Sequence, residues 1–293
     1  MGEFSDQAER AADLARTIVA LQGDGRRLLV VHGNGPQVGA LAIAQEAVAR
    51  EVPPQPLFVL GAMTQGQLGY LLGQAIGDAL EAAGRPRAVA AVMTQVVVDP
   101  DDPGFQNPTK PIGPFFPEGR AKRLADARGW SVVDDSGRGW RRVVASPEPL
   151  EVVEWPQIKR LLDAGQVVIA CGGGGVPVVR RDGDLRGVDA VIDKDYAAAL
   201  VGDLVGADSL LLLTGVERVA LDFGTPMQRE VEQMTLAEAR GHLADGQFPA
   251  GSMGPKVDAA IRFIDGGGRM AIIGAMESAA EALAGTSGTR IVP

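Results

Sequence analysis

The residues of this chain best suited to chemistry are glycines at the ends of apolar runs and lysines in unusual settings. Residues 28–39 read Leu-Leu-Val-Val-His-Gly-Asn-Gly-Pro-Gln-Val-Gly, a short buried strand that breaks into a turn and opens a helix. Glycines at the carboxyl end of a parallel strand let an anion approach backbone N–H groups, and the following helix offers a partly positive N-terminus. Gly33, Asn34 and Gly35 therefore point to an anionic small molecule. A second strand-like run, 166–171, ends in Gly172, Gly173, Gly174 and Gly175. In an α/β chain the two clusters are expected on one edge of the sheet, although each alone reads equally as a tight turn. Neither has the spacing of a dinucleotide fingerprint or the Lys-Ser/Thr ending of a P-loop. A phosphate cradle of another geometry stays open.

Lys256 follows Gly251-Ser252-Met253-Gly254-Pro255, and Pro255 suits a first helical position. Lys194 stands just before a helix opened by Asp195. A cation in a first helical turn is disfavoured by about 0.3–1 kcal/mol. The plain reading is a solvated side chain, whereas a bound polyphosphate would turn both lysines into ligands. Phosphoryl transfer needs little covalent help and much positive charge around the transferring group. Asp195 reads as a helix N-cap, or as a carboxylate that holds the lysines or assists magnesium; Asp193 flanks Lys194 on its other side. Lys110, within Asn107-Pro108-Thr109-Lys110-Pro111, is a rigid arm or an ordinary loop lysine. Cys171 reads as a small core residue. His32 reads as structural, since His242 is the only other histidine. No zinc pattern, metal-spaced ligand set or Ser-His-Asp arrangement is visible, so no residue is assigned as a metal ligand.

The elements that must carry these residues follow a βα rhythm. Helices are predicted over 5–22, 37–50, 66–83, 155–164, 194–205, 236–245 and 255–265, with a last one after 274. Strands are predicted over 27–32, 88–98, 166–171, 209–214 and 269–274. This alternation implies an α/β fold with a mainly parallel sheet covered on both faces. Between Asp99 and Pro149 the character changes: eight prolines fall there, and residues 130–140 read as a hairpin. Residues 99–150 are expected to form an inserted, mostly irregular and β-ribbon subdomain within a single domain spanning 1–293.

Composition narrows the partners. The chain has 293 residues, 46% hydrophobic and only 4% aromatic, so its core is built from Ala, Val, Leu and Ile. The net charge of −9 argues against non-specific nucleic-acid binding. No apolar run approaches the ~20 residues that span a bilayer, which argues against a membrane protein. A single cysteine excludes an intrachain disulfide, and with no signal peptide visible a cytoplasmic location is the default.

Six segments taken in order, 32–39, 107–114, 172–178, 191–195, 223–226 and 251–256, resemble the carbamate kinases of the amino-acid kinase superfamily, as does the ending Gly-Thr-Arg-Ile-Val-Pro. The resemblance covers nearly the whole chain. It implies reversible phosphoryl transfer between carbamoyl phosphate and ADP, giving ATP and carbamate, with Mg2+. It also implies a three-layer α/β/α sandwich, a protruding subdomain, a homodimer and a place in nitrogen catabolism such as arginine metabolism. By motif position, Lys110, Lys194 and Lys256 would neutralise charge and Asp195 would organise them, with Lys110 reaching over the site from the subdomain. Gly33, Asn34 and Gly35, with Gly172, Gly173 and Gly174, would hold carbamoyl phosphate. Phe223, Gly224, Met253 and Gly254 fall in segments that resemble the nucleotide side. Lys256→Ala is expected to spare the fold, on the reading that this lysine faces the site rather than packs.

The chain departs from the family in part. Family members begin with an apolar strand ending in Gly-Gly-Asn, and Met1 here aligns just after it. A sheet with an unfilled strand position is expected, and with it weak activity or a catalytically impaired homologue that binds nucleotide or a protein partner. A start upstream of Met1 is favoured over a naturally shortened relative, because every later motif is intact. Gly215 stands where an aspartate is common, Ala220 where an aromatic is common, and Asp189 where a glutamate is usual.

Overall fold

The computed structural model describes residues 4–135, 137–249 and 251–293. The chain opens with α1 (Phe4–Leu21), whose apolar spacing buries Ala11, Ala15, Ile18 and Leu21. The first βα units are β1 (Leu29–Val30), α2 (Gly35–Ala47), α3 (Leu57–Ala82), β2 (Val89–Ala91) and β3 (Gln95–Val98). There follow β4 (Lys110–Phe116), α4 (Glu118–Arg128), β5 (Ser131–Asp134), β6 (Trp140–Val144) and β7 (Pro149–Val152). Next come α5 (Trp155–Asp163), β8 (Val167–Ile169), β9 (Val176–Arg181), β10 (Asp184–Gly187) and α6 (Lys194–Val205). The last third runs β11 (Ser209–Thr214), β12 (Val219–Leu221), β13 (Arg229–Val231), β14 (Gln233–Thr235) and α7 (Leu236–Ala244). It ends with α8 (Met253–Asp265), β15 (Met270–Ala275), α9 (Ala279–Ala284) and β16 (Thr289–Val292).

The expected α/β sandwich is present. β1 and β2 flank β8 in parallel, β3 pairs β9 in parallel, and β11 pairs β15 in parallel. Antiparallel pairs include the neighbours β9 and β10 and β12 and β13, the edge strand β7 on β3, and the central pair β15 and β16. β8 shows how the layers form. Its side chains alternate, so Val167 and Ile169 pack with α1 and α3 while Val168 and Ala170 pack with α5 and α6. Each fully buried Val or Ile side chain here contributes about 1.5–3 kcal/mol. α6 joins the two halves: Ala197, Val201 and Val205 face the β8 side, and Ala199 faces the cluster built around Phe263. β1 and β11 each lie at the outer edge of their ladders among the described residues.

Several boundaries differ from the sequence reading, each for a physical reason. α3 starts at Leu57 rather than Gly66, because the Asp189 carboxylate accepts a 2.8 Å hydrogen bond from the Leu57 N–H. That cap comes from 132 residues away and has no local signal. The predicted strand 88–98 splits at Thr94 into β2 and β3, which join different sheets. The segment 99–150 carries a helix, α4, that its polar composition hid; Ala121 packs with Phe116 and Trp130, and Gly129 closes the helix at φ 67°. The remainder of that segment includes the antiparallel ladder β4-β6-β5, with the expected hairpin between β5 and β6. This ladder docks on α2 where Gly39 meets Gly113: a Cβ on Gly39 would fall 2.0 Å from the Gly113 Cα.

Candidate active site

β1 and β8 are parallel neighbours, so the loops that follow them leave the same edge of the sheet. The loops touch. The Gly173 N–H donates to the His32 carbonyl at 2.7 Å. A Cβ on Gly172 would lie 2.4 Å from His32 Nε2, and one on Gly173 would lie 2.2 Å from Asn34 Nδ2. A side chain at either position would displace the His32 ring or the Asn34 amide, and Gly173 also has φ 67°. Cys171 enters the second loop in the left-handed region, at φ 51°, held by its N–H donating to Thr94 Oγ1 at 3.0 Å. The Cys171 thiol is fully buried, and burial pushes it up to about 12.

The lysines meet beside the first loop. Lys194 opens α6, and its Cδ lies 3.3 Å from where a Cβ on Gly33 would sit. Lys110, the first residue of β4, pairs with Asp193 at 2.5 Å. Lys256, on α8, pairs with Asp195 at 2.8 Å, with both side chains only 12% exposed. The sequence reading gave Asp195 alone the task of organising lysines, and structurally the task is divided between two carboxylates. Asp193 is also the N-cap of α6, accepting from the Asp195 N–H at 2.9 Å. The alternative reading of Asp195 as N-cap is thereby corrected. The buried pairing of Lys256 also corrects the expectation that it faces the site without packing. α8 begins at Met253, so Pro255 is its third residue rather than its first.

Charge in this cluster does not balance. Among the described residues no carboxylate lies within ion-pair distance of Lys194. Burial lowers its pKa most; Lys256 and Lys110 lower it further, and the more distant attraction of Asp195 and Asp193 does not restore it. At Asp193 burial works against the charged form, but the Lys110 ion pair, the Asp195 N–H and the field of Lys256 outweigh it and hold the carboxyl below its usual range. Three lysines against two aspartates leave the cluster one positive charge in excess. Burial also lowers the His32 pKa, with Lys194 adding to the effect and the contact to the Gly33 carbonyl opposing it. His32 is therefore a neutral ring at physiological pH.

The amino acid kinase family profile matches residues 2–274. This chain belongs to the amino acid kinase family. Relatives matched over nearly the whole chain include carbamate kinases and carbamate kinase-like proteins. The enzyme of Pyrococcus furiosus is 47% identical over 294 residues, covering 100% of this chain and 94% of the relative. That of Thermococcus kodakarensis is also 47% identical, covering 99% of this chain and 93% of the relative. Carbamate kinase from Giardia lamblia, solved bound to citric acid, superposes with a TM-score of 0.95 at 42% identity, covering 100% of this chain and 93% of that one. The same Giardia enzyme has been solved with AMP-PNP, at a TM-score of 0.89, and thiocarbamoylated by disulfiram on a cysteine, at 0.87.

Against this family background, the remaining candidate residues fall into two groups. Met253 and Gly254 form the first turn of α8, on the same helix as Lys256. Phe223 and Gly224 lie on the exposed turn between β12 and β13, outside the bonded lysine–aspartate network, with Phe223 66% exposed. The Gly224 N–H donates to Gln228 Oε1 at 2.9 Å. Asp189, which departs from the usual glutamate, serves as the distant cap of α3. Sequence reading passed over Arg141 on β6. It donates to Asp135 at 3.0 Å and to the Gly113 carbonyl at 3.1 Å, and its Nη2 lies 3.9 Å from where a Cβ on Gly35 would sit. Its only sequence signal is its place just after the 130–140 hairpin segment. No helix among the described residues is long and apolar enough to cross a membrane.

Proposed function

We propose that this chain is a carbamate kinase, moving the phosphoryl group of carbamoyl phosphate to ADP to give ATP and carbamate, and the reverse. The observation that carries this reading is the excess positive charge of Lys110, Lys194 and Lys256 beside the Gly33-Asn34-Gly35 loop. In the transfer, the bond from phosphorus to the carbamoyl oxygen breaks and a bond to an ADP β-phosphate oxygen forms. The chain's contribution is placement and charge. The loops 33–35 and 172–174 hold carbamoyl phosphate. Phe223, Gly224, Met253 and Gly254 hold the nucleotide. Lys194 meets the transferring group from the α6 N-terminus, Lys256 from α8, and Lys110 from the protruding subdomain 99–150. Asp195 and Asp193 keep Lys256 and Lys110 from relaxing into solvent.

Asp193 and Asp195 are each committed to a lysine, and among the described residues no group of three or more His, Cys, Asp or Glu could hold a metal ion. That donor set fits Mg2+ carried on nucleotide phosphates, with at most one or two carboxylates nearby. When bound, the ion screens the phosphate charge. Resemblance to the carbamate kinases also supports a cytoplasmic homodimer working in nitrogen catabolism, and light scattering of the purified chain tests the dimer.

The deciding experiment is coupled detection of ATP formed from carbamoyl phosphate and ADP. Turnover by the wild type, with a loss of about 10²-fold or more in Lys256→Ala, supports the reading. A folded wild-type chain that binds nucleotide but makes no ATP overturns it in favour of an impaired homologue.

A further inference from the structure

Two neighbouring polar residues on α3, Thr64 and Gln65, are 0% and 6% exposed. Buried polar side chains in mid-helix persist only where their hydrogen bonds are met. Here Thr64 meets the first glycine loop directly, and Gln65 reaches the second through Thr94. Thr64 Oγ1 donates to the Gly61 carbonyl at 2.7 Å, one turn back, and accepts from Asn34 Nδ2 at 2.8 Å. Gln65 grips the backbone of Thr94 at both ends: its Oε1 accepts from the Thr94 N–H at 2.9 Å and its Nε2 donates to the Thr94 carbonyl at 3.0 Å. Thr94 Oγ1 in turn accepts from the Cys171 N–H at 3.0 Å, where the second loop begins.

This pattern fixes more than distance. A hydroxyl has one proton, and Thr64 spends it on Gly61, so toward Asn34 it can only accept. The Asn34 amide must then present Nδ2 to Thr64. Its Oδ1 takes no hydrogen bond from the described residues, and the amide packs where a Cβ on Gly173 would otherwise sit. We propose that Thr64 and Gln65 are positioning residues that set the spacing of the two glycine loops, and that Thr64 locks the Asn34 amide with its oxygen free for a donor on the ligand. The donor class is a primary amide N–H, as on a carbamoyl group. The inference rests on the kinase reading above and deepens it by naming what selects the carbamoyl end.

The test compares carbamoyl phosphate with acetyl phosphate, which puts a methyl in place of the NH2. The wild type is expected to prefer carbamoyl phosphate. Thr64→Val, nearly isosteric, is expected to raise KM for carbamoyl phosphate about tenfold and to shrink that preference, while KM for ADP stays within about twofold. Thr64→Ser, which restores the hydroxyl, is expected to recover both values to within about threefold. Gln65→Glu keeps the acceptor for the Thr94 N–H, loses the donor and is expected to lower kcat. Thr64→Ala reads the same preference if the valine variant does not fold. A preference unchanged in Thr64→Val, Thr64→Ser behaving like Thr64→Val, or no preference in the wild type overturns the proposal. Calorimetric binding of the two acyl phosphates reads the preference without turnover. Failure of the kinase reading, seen as no ATP, is therefore distinct from failure of this one.

Discussion

Replacing Lys194 by methionine separates stability from charge at this site. Lys194 is desolvated, sits in the field of two other lysines, and has no carboxylate at ion-pair distance among the described residues. A folded-state pKa below the unfolded value means that the unfolded chain binds this proton more tightly. The penalty is full at pH values below the folded pKa and fades only as pH rises toward the unfolded lysine value of about 10.4. Charged Lys194 therefore costs stability at neutral pH. Methionine keeps the stem that packs on Gly33 and removes the charge. Relieving such a functional liability returns about 0.5–2 kcal/mol, which for a chain this long raises Tm by about 1–5 °C. Asp195→Ala works in the opposite direction. It strands Lys256, whose side chain is 12% exposed, and loss of one partner of a buried pair costs about 3–5 kcal/mol. Both variants are expected to lose about 10²–10³-fold in rate, the scale for removing a positioned charge or its support at a transferring group. Thermal and urea melts run beside the coupled ATP assay read both quantities. Lys194→Met melting below the wild type, or keeping more than about a tenth of the activity, refutes the reasoning.

Three further outcomes are expected. Because burial lowers the His32 pKa, wild-type stability holds above the unfolded histidine value near 6.5 and falls as pH drops below it, by up to about 1.4 kcal/mol per unit. Urea midpoints for His32→Gln should fall less between pH 7 and 5, and parallel curves would contradict this. Gly39→Ala drives a methyl into Gly113 and is expected to cost about 1–3 kcal/mol or more and to raise KM for carbamoyl phosphate, since β4 carries both Gly113 and Lys110; unchanged melting and KM would show that the docking yields freely. Cys171 is the only cysteine, fully buried, with its thiol pushed up to about 12, so intact mass after native disulfiram treatment should be unchanged and should shift only in denaturant.

The βα rhythm was legible because strands such as β8 are buried on both faces and read as unbroken Val and Ile runs. The two glycine loops were legible because glycines cluster where a Cβ at Gly172 or Gly173 would meet the His32 or Asn34 side chain at 2.2–2.4 Å. What escaped depends on partners remote in sequence. The start of α3 is set by Asp189, and α4 is too polar to show a face. The division of labour between Asp193 and Asp195 turns on which side of α6 each carboxylate leaves, and residue type does not encode that. Thr64 and Gln65 fall before the helix predicted from Gly66, in the part of α3 that the sequence did not reveal, and their partners Asn34 and Thr94 lie about 30 residues away.

The overall charge of −9 and the local excess of lysines pull in opposite directions, and screening decides between them. At physiological salt the Debye length is about 8 Å, so a small anion at the 33–35 loop senses mainly its neighbours. Lys194 stands beside Gly33 and the Arg141 guanidinium beside Gly35, so the loop has a cation at each end. A polymeric anion would extend several Debye lengths beyond this cluster and meet the acidic remainder of the chain. A compact acyl phosphate would not. The same arithmetic explains why two of the three lysines are tied to aspartates. With all three uncompensated, mutual repulsion would drive them apart; with all three paired, the cluster would carry no net positive charge. On the proposed function, pairing two and leaving Lys194 without a carboxylate at ion-pair distance among the described residues keeps the lysines together while retaining one positive charge for the incoming anion.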